Sequence, residues 1–375
     1  MRVLEVLYKY PGETFIRQHA AALNEHAADT ELVWAYTQTP YSGRKKNWDF
    51  GRVTCYALPN YNQMGPWKQW LSSILYPGNQ FVKLYTPQLA LLKKLNPDIV
   101  HFQFASLAIQ YSHLCVKLNI PYTFSVRGSD INISPLTVPN YIPQLKETAT
   151  HAAGIHCVSQ DLKDRLDTIT SQNNNAQVIR TTISNSWARV KRSPVKGLLL
   201  TVGRLQWMKG YTDLILALSY LKKDGIPFHL QIVGDGPQEQ ELEYMIRDLS
   251  LNDEITLYGR KSQQEIKQLM EKADAFVCSS VAEGFPNVVA EAMLAGLPVI
   301  ATDCNGISEV LNESNSTLCE SGDPFSLYQA LKKHLSAPAN DKANAAFKTA
   351  SALFNDQLHA GQFSAFWHQQ VNHAV

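Results

Sequence analysis

Long apolar runs are missing from this 375-residue chain. No stretch of about 18 apolar residues occurs, which excludes a membrane-spanning helix. Met1 to Val6 goes straight into a strand-like pattern, without the basic-then-apolar start of a secretory leader. No C-x-x-C pair is present. The six cysteines (Cys55, Cys115, Cys157, Cys278, Cys304 and Cys319) fall mostly in apolar strand-like runs and read as buried thiols rather than disulfides or a metal site. Neither charge sign dominates: the formal net charge of +1 argues against general nucleic-acid binding. The G-x-x-x-x-G-K-[ST] phosphate loop is absent. So is a G-x-G-x-x-G fingerprint after the first strand of either half, which argues against a redox enzyme. These absences describe a cytoplasmic protein, and its length predicts two domains.

What is present alternates. The first half reads as strands at Val3–Tyr8, Leu32–Tyr36, Val53–Leu58, Asp98–Phe104, Tyr122–Val126, Gly154–Ser159 and Val178–Ile183. Helical patterns lie between them, one of them, Trp67–Leu95, broken by Pro77-Gly78 and by Pro87. A polar, basic junction follows, and the alternation restarts at Leu198. Strand–helix alternation of this kind predicts two parallel sheets. The expected partition is 1–184 for a first domain, 185–196 for a linker and 197–340 for a second domain. Residues 341–375 read as helices, with Phe363, Phe366 and Trp367 as candidates to pack back on the first domain.

The chemistry concentrates in the second half. Residues 279–303 read as a loop, a helix and a strand behind the buried strand Ala275–Cys278. Gly284 breaks regular structure, Pro286 suits a first helical position, and a short helix is expected over Ser308–Asn312. Glu283 sits on the loop and Glu291 on the helix Val288–Ala295, whose N-terminus offers N–H groups to an anion. Two carboxylates beside an anion site suit a nucleotide sugar; a surface loop and a solvated glutamate are the alternative. The strand ending Thr201-Val-Gly203 presents Arg204, and Lys209-Gly210 follows before a helix. A guanidinium fork and an ammonium point charge suit a diphosphate; a basic surface turn is the alternative. Gly234-Asp-Gly-Pro237 and Gly259-Arg260 end two further strands.

In combination, VGRLQWMKG, then IVGDGP, then LYGR, then E-x7-E within AEGFPNVVAEAMLAGLPVIATD resemble the GT-B glycosyltransferases of family 4 (glycosyl transferases group 1) over roughly 198–335. The first half matches more loosely. Glu13-Thr-Phe-Ile16 and Leu205-Gln-Trp-Met-Lys-Gly-Tyr211 look like bacterial surface-polysaccharide members. The resemblance implies an α/β GT-B fold, two Rossmann-like doubly wound domains facing a cleft, the first for acceptor and the second for donor. It implies that Arg204 and Lys209 bind the donor diphosphate, and that Gly259 and Arg260 flank the base near the Gly234 turn. Glu283 and the backbone of Gly284, Phe285, Pro286, Asn287 and Val288 would hold the sugar and phosphate, and Glu291 the ribose hydroxyls. The family retains anomeric configuration and needs no metal or other cofactor.

Two departures stand out. Pro11-Gly-Glu-Thr14 replaces a glycine-rich loop, and Arg127, in Arg127-Gly-Ser-Asp130, replaces a histidine. A guanidinium cannot act as a base, but it can bind a phosphate or an anionic acceptor; a structural Arg127–Asp130 pair is the alternative. Acceptor-side candidates are Glu13, Thr14, His101, Arg127 and Asp130. From Phe50 to Ser129 the only acid is Asp98, and the same stretch carries Trp67, Trp70, Leu71, Ile74, Leu75 and Tyr76. A basic, tryptophan-rich surface suits an anionic inner membrane face and a lipid-linked saccharide acceptor; a helical hairpin packed on the sheet is the alternative. The expected function is a retaining transferase that moves a sugar from a nucleoside diphosphate to a saccharide hydroxyl. A non-catalytic nucleotide-sugar binder and a GT-B-type nucleotide-sugar epimerase are the rivals.

Overall fold

A computed structural model describes residues 1–9, 14–38, 53–58, 80–170, 175–337 and 340–373. Glu13, most of the polar loop expected at 37–49, and the tryptophan-rich stretch 67–76 lie outside the described residues. The chain forms two compact units, Met1–Thr182 with Asp356–Val375, and Ile183–Asn355.

Unit 1 is built on a sheet of seven strands: β1 (Arg2–Lys9), β2 (Glu31–Gln38), β3 (Thr54–Ala57), β4 (Ile99–Phe102), β5 (Tyr122–Val126), β6 (Gly154–Cys157) and β7 (Ala176–Val178). Their order is β3-β2-β1-β4-β5-β6-β7, and every described pairing is parallel. The helices are α1 (Thr14–His26), α2 (Gln80–Leu95), α3 (Ala105–Leu118), α4 (Gly128–Asn132), α5 (Ser134–Thr137), α6 (Tyr141–His151) and α7 (Gln160–Thr170). Alternate residues of the strands face opposite layers. Leu4, Val6, Phe102 and Phe124 serve one layer, and Val3, Leu7, Trp34 and Ile99 the other. That second layer carries a polar band. The ladder sets Glu5 beside His101, His101 beside Thr123, and Ser125 beside His156. All five are at most 2% exposed, so each must find partners inside.

Unit 2 has six strands: β8 (Leu198–Val202), β9 (His229–Val233), β10 (Ile255–Leu257), β11 (Ala275–Cys278), β12 (Val299–Asp303) and β13 (Thr317–Glu320). They lie in the order β10-β9-β8-β11-β12-β13, again parallel. Its helices are α8 (Tyr211–Lys223), α9 (Glu239–Asp248), α10 (Gln263–Lys272), α11 (Asn287–Leu294), α12 (Pro324–Ser336) and α13 (Asn340–Leu353). The strand order reverses between β8 and β11, the crevice where open α/β sheets take ligands.

Several boundaries differ from expectation. Pro87 lies inside α2 and does not end it, because the helix continues around it from Gln80 to Leu95. The last strand of unit 1 stops at Val178, four residues before the chain leaves the unit. The short helix expected at Ser308–Asn312 is a 3-10 turn at Asn305–Ile307. Residues 341–375 divide: α13 belongs to unit 2, whereas α14 (Asp356–His373) lies with unit 1. There Phe363, Phe366 and Trp367, each at most 1% exposed, join the layer of Val3, Leu7 and Trp34. Among the described residues no helix is long and apolar enough to cross a membrane.

Candidate active site

The loops leaving β8, β9 and β10 are stitched together by backbone hydrogen bonds. Gly203 N–H donates to Val233 O (2.9 Å), Gly234 N–H to Gly259 O (2.9 Å), and Leu205 N–H to Asp235 O (2.8 Å). The fit leaves no room for side chains: a Cβ on Gly234 would stand 1.8 Å from Gly203 O. Across the switch point the β8 and β11 loops are joined in the same way. Val281 N–H donates to Met208 O (2.8 Å) and Ser279 Oγ–H to Lys209 O (2.8 Å). Gly210, at φ 60°, allows this approach, since a Cβ there would lie 2.0 Å from Ser279 O.

These loops bring the predicted residues of the second half together at the carboxyl ends of the strands. Lys209 donates to Glu283 in a short ion pair, and Ser280 Oγ–H donates to the same oxygen, Glu283 Oε1, at 3.0 Å. Arg204 is exposed, and its guanidinium has no partner among the described residues. Arg260 pairs with Asp235 (Nε to Oδ2, 3.2 Å), so the turns at Gly234 and Gly259 are tied by side chains as well as backbone. Pro286 caps α11 instead of occupying its first turn. Among the described residues no side chain caps that end, which leaves first-turn N–H groups for an anion. Phe285 stacks on Phe354 (5.0 Å between centroids, 20° between planes) and anchors the Glu283-to-Asn287 loop within unit 2.

Glu291 lies one turn into α11. It is 7% exposed, yet its carboxylate has no hydrogen-bond partner among the described residues. Burial pushes it up to about 7, opposed by the positive charge of Lys267. Lys267 is itself held by Ser186 Oγ (2.6 Å) and lies 5.0 Å from the Trp187 ring.

Unit 1 treats its predicted residues differently. Arg127 caps α4 at the end of β5. Its Nε donates to Gln103 O (3.1 Å), its Nη2 to Gln103 Oε1 (2.7 Å), and its cation lies 4.2 Å from the Phe15 centroid. Asp130 is 2% exposed and accepts the Arg127 N–H at 2.8 Å. The N–H groups of Ala105 and Ser106 also donate to it, and burial still pushes it up to about 7. It therefore ties the starts of α3 and α4 and is spent on backbone, not presented to a ligand. His101 is 0% exposed, with Nδ1 on Thr123 Oγ1 (2.8 Å) and Nε2 on Ser125 Oγ (2.9 Å). It belongs to the polar band under α14. Thr14 begins α1, and Arg17 Nη2 donates to its hydroxyl at 3.4 Å. Gln103, Glu5 and Lys267 belong to no motif in the sequence. The available signal was Glu5 itself, a carboxylate in the middle of an apolar strand.

Residues 185–352 match the glycosyl transferases group 1 family. An amylovoran biosynthesis glycosyltransferase of Erwinia amylovora is 37% identical over 34% of this chain and 33% of that protein. An uncharacterized glycosyltransferase of Methanocaldococcus jannaschii is 31% identical over 62% of this chain and 64% of that protein. The chain thus spans only 30% to 64% of the length of the curated relatives it resembles here. Among solved structures, the sucrose-phosphate synthase of Thermosynechococcus elongatus superposes with a TM-score of 0.78 at 18% identity, covering 100% of both chains. Anabaena HepE in complex with UDP-glucose superposes with a TM-score of 0.74 at 18% identity, over 97% of this chain and 98% of that one. The chain has the two-domain GT-B fold, and the match to the glycosyl transferases group 1 family lies within its second unit.

Proposed function

We propose that the protein is a retaining glycosyltransferase that uses a nucleoside diphosphate sugar, of which UDP-glucose is the first to test, and glycosylates a hydroxyl of a saccharide. The observation that carries this reading is Glu291: a carboxylate 7% exposed, with no hydrogen-bond partner among the described residues, one turn into α11, the helix that follows the loop of Glu283. The two adjacent hydroxyls of a ribose would supply the donors that this carboxylate does not find among the described residues. Arg204, Lys209 and the α11 N–H groups would then meet the diphosphate, Glu283 the sugar hydroxyls, and the Gly234 and Gly259 turns the base.

In the reaction the acceptor oxygen bonds to the anomeric carbon as the bond from that carbon to the diphosphate oxygen breaks. The acceptor's proton passes to the departing phosphate on the same face, so configuration is retained and no side-chain base is required. Two cations and a helix end stabilise the departing charge, which a metal ion would otherwise do. The amylovoran relative favours a surface polysaccharide as the product class. A lipid-linked acceptor at a membrane surface fits the basic, tryptophan-rich stretch before residue 80.

The test is release of nucleoside diphosphate from a panel of nucleotide sugars, with saccharide acceptors and EDTA present, and with the product's anomeric configuration read by NMR. Retained configuration and release undiminished by EDTA support the reading. Tight binding without release favours a binding protein, and an altered nucleotide sugar without release favours an epimerase.

A further inference from the structure

The polar band of unit 1 contains a hydrogen-bonded chain whose protons can be assigned by counting donors. His359 Nδ1 lies 2.8 Å from the carbonyl oxygen of Arg180, which can only accept, so this nitrogen carries hydrogen. Taken as the neutral ring, its Nε2 is then a lone pair, and His19 Nδ1, at 2.7 Å, must donate to it. His19 Nε2 faces Glu5 Oε1 at 2.7 Å with one proton between them. Glu5 is 0% exposed and takes two further donors, Trp34 Nε1 on Oε2 (2.7 Å) and Gln103 Nε2 on Oε1 (2.6 Å). Because the Gln103 amide must present its N–H to Glu5, its oxygen faces the other way, where Arg127 Nη2 meets it at 2.7 Å.

We propose that Gln103 is a positioning residue for Arg127 and that the Glu5–His19 pair fixes which way its amide points. The proposal rests on the reading of Arg127 as an active-site cation. Gln103 holds the guanidinium at two points, backbone and side-chain oxygen, and Phe15 supports it at 4.2 Å. A guanidinium aimed this way is pre-organised to meet an anion, whereas a free one would lose rotamer freedom on binding. Glu5 acts only through Gln103. Replacing it by glutamine puts an N–H either against Trp34 Nε1–H or against Gln103 Nε2–H. The second clash is relieved by flipping the Gln103 amide, which turns a donor toward Arg127.

Side-chain NMR of the full chain with 15N-arginine tests the relay without any ligand. In the wild type the Arg127 Nη protons should be resolved, because rotation is restrained; they are identified by their loss in Arg127→Lys. Gln103→Leu should collapse them into the averaged envelope of free arginines, and Glu5→Gln should do the same with Gln103 still present. Resolved signals persisting in either folded variant overturn the proposal. The link to the reaction is read by nucleoside diphosphate release. Gln103→Leu should lower kcat/KM by about tenfold to a hundredfold, the size of one lost buried contact, and should cost nothing further in an Arg127→Ala background. An equal additional loss there overturns the positioning role. If Arg127→Ala alone is as active as wild type, the active-site reading of Arg127 fails, while the NMR result still decides the relay.

Discussion

Lys209 and Glu283 reach each other from the two sides of the switch point, one on the loop after β8 and the other on the loop after β11, and they form an ion pair. The carboxylate therefore neutralises the cation that the proposed donor diphosphate would meet. Arg204 and Lys209 are predicted to be worth roughly 10²–10³-fold each in turnover, the usual size of a lost charge-stabilising group. Alanine variants of each, assayed by nucleoside diphosphate release, check this; wild-type turnover in both removes the donor-site assignment.

Glu283 carries a prediction of opposite signs. With Glu283→Gln the ammonium of Lys209 is no longer neutralised, so UDP should bind several-fold tighter, while transfer slows because the sugar hydroxyls would meet a neutral amide with one acceptor oxygen in place of a carboxylate. The pair is partly buried, with side-chain exposures of 21% and 12%, so it is screened less than a surface pair. Calorimetry with UDP and a rate assay with the intact donor separate the two effects. Weaker UDP binding in Glu283→Gln would place the carboxylate elsewhere.

Glu291 should make stability fall as pH rises. Its folded pKa of about 7 exceeds its ordinary value of 4.5, so between those values the folded state holds more protons than the unfolded one. The stabilising contribution is complete below about 4.5 and is lost as pH passes through about 7, a difference of about 3 kcal/mol. Glu291→Gln removes this slope, so thermal unfolding of the two proteins from pH 5 to 8 should diverge toward high pH, with the variant the more stable. A ribose that needs the ionised form as acceptor would bind better above pH 7, and Glu291→Ala should raise KM more than it lowers kcat.

The fold class was legible because strand–helix alternation is local: β8, β11 and β12 are apolar runs closed by glycine or polar residues. Pairing between distant segments was not. Nothing at Gln103 shows that its amide bridges a strand 98 residues away in sequence to an arginine 24 residues ahead. Asp130 looked available because side chains that bind ligands and side chains that cap helices share the same residue types, and only geometry shows that three backbone N–H groups consume it. Pro87 misled in the same way, since a helix held by tertiary packing tolerates a break that local rules forbid.

Gly210 and Gly234 should be intolerant of even one methyl group. Each would place its Cβ 2.0 Å or less from a backbone oxygen of the neighbouring loop, and neither Ser279 O nor Gly203 O can rotate away. Gly210→Ala adds the cost of a left-handed residue, about 1 kcal/mol. Both alanine variants should lose more than about 3 kcal/mol or fold with separated loops. Urea unfolding gives the loss, and a stable variant with normal donor affinity would show that the loop stitching is dispensable.

Trp367 separates packing from hydrogen bonding in the layer that covers the polar band. It is 0% exposed, its ring lies 5.6 Å from His101 and 6.0 Å from His19, and its indole N–H is buried without a partner among the described residues. Trp367→Ala empties the space beneath α14 and should cost about 3–5 kcal/mol. Trp367→Phe keeps much of the ring and removes an unsatisfied donor, so its loss of contacts is offset and the change should stay within about 1.5 kcal/mol. Since α14 belongs to unit 1 and the proposed nucleotide residues to unit 2, UDP affinity measured below the unfolding transition should not move in either variant. A large loss of UDP affinity in folded Trp367→Phe would mean that the covering of unit 1 governs the donor site, and would remove the assignment of nucleotide binding to unit 2 alone.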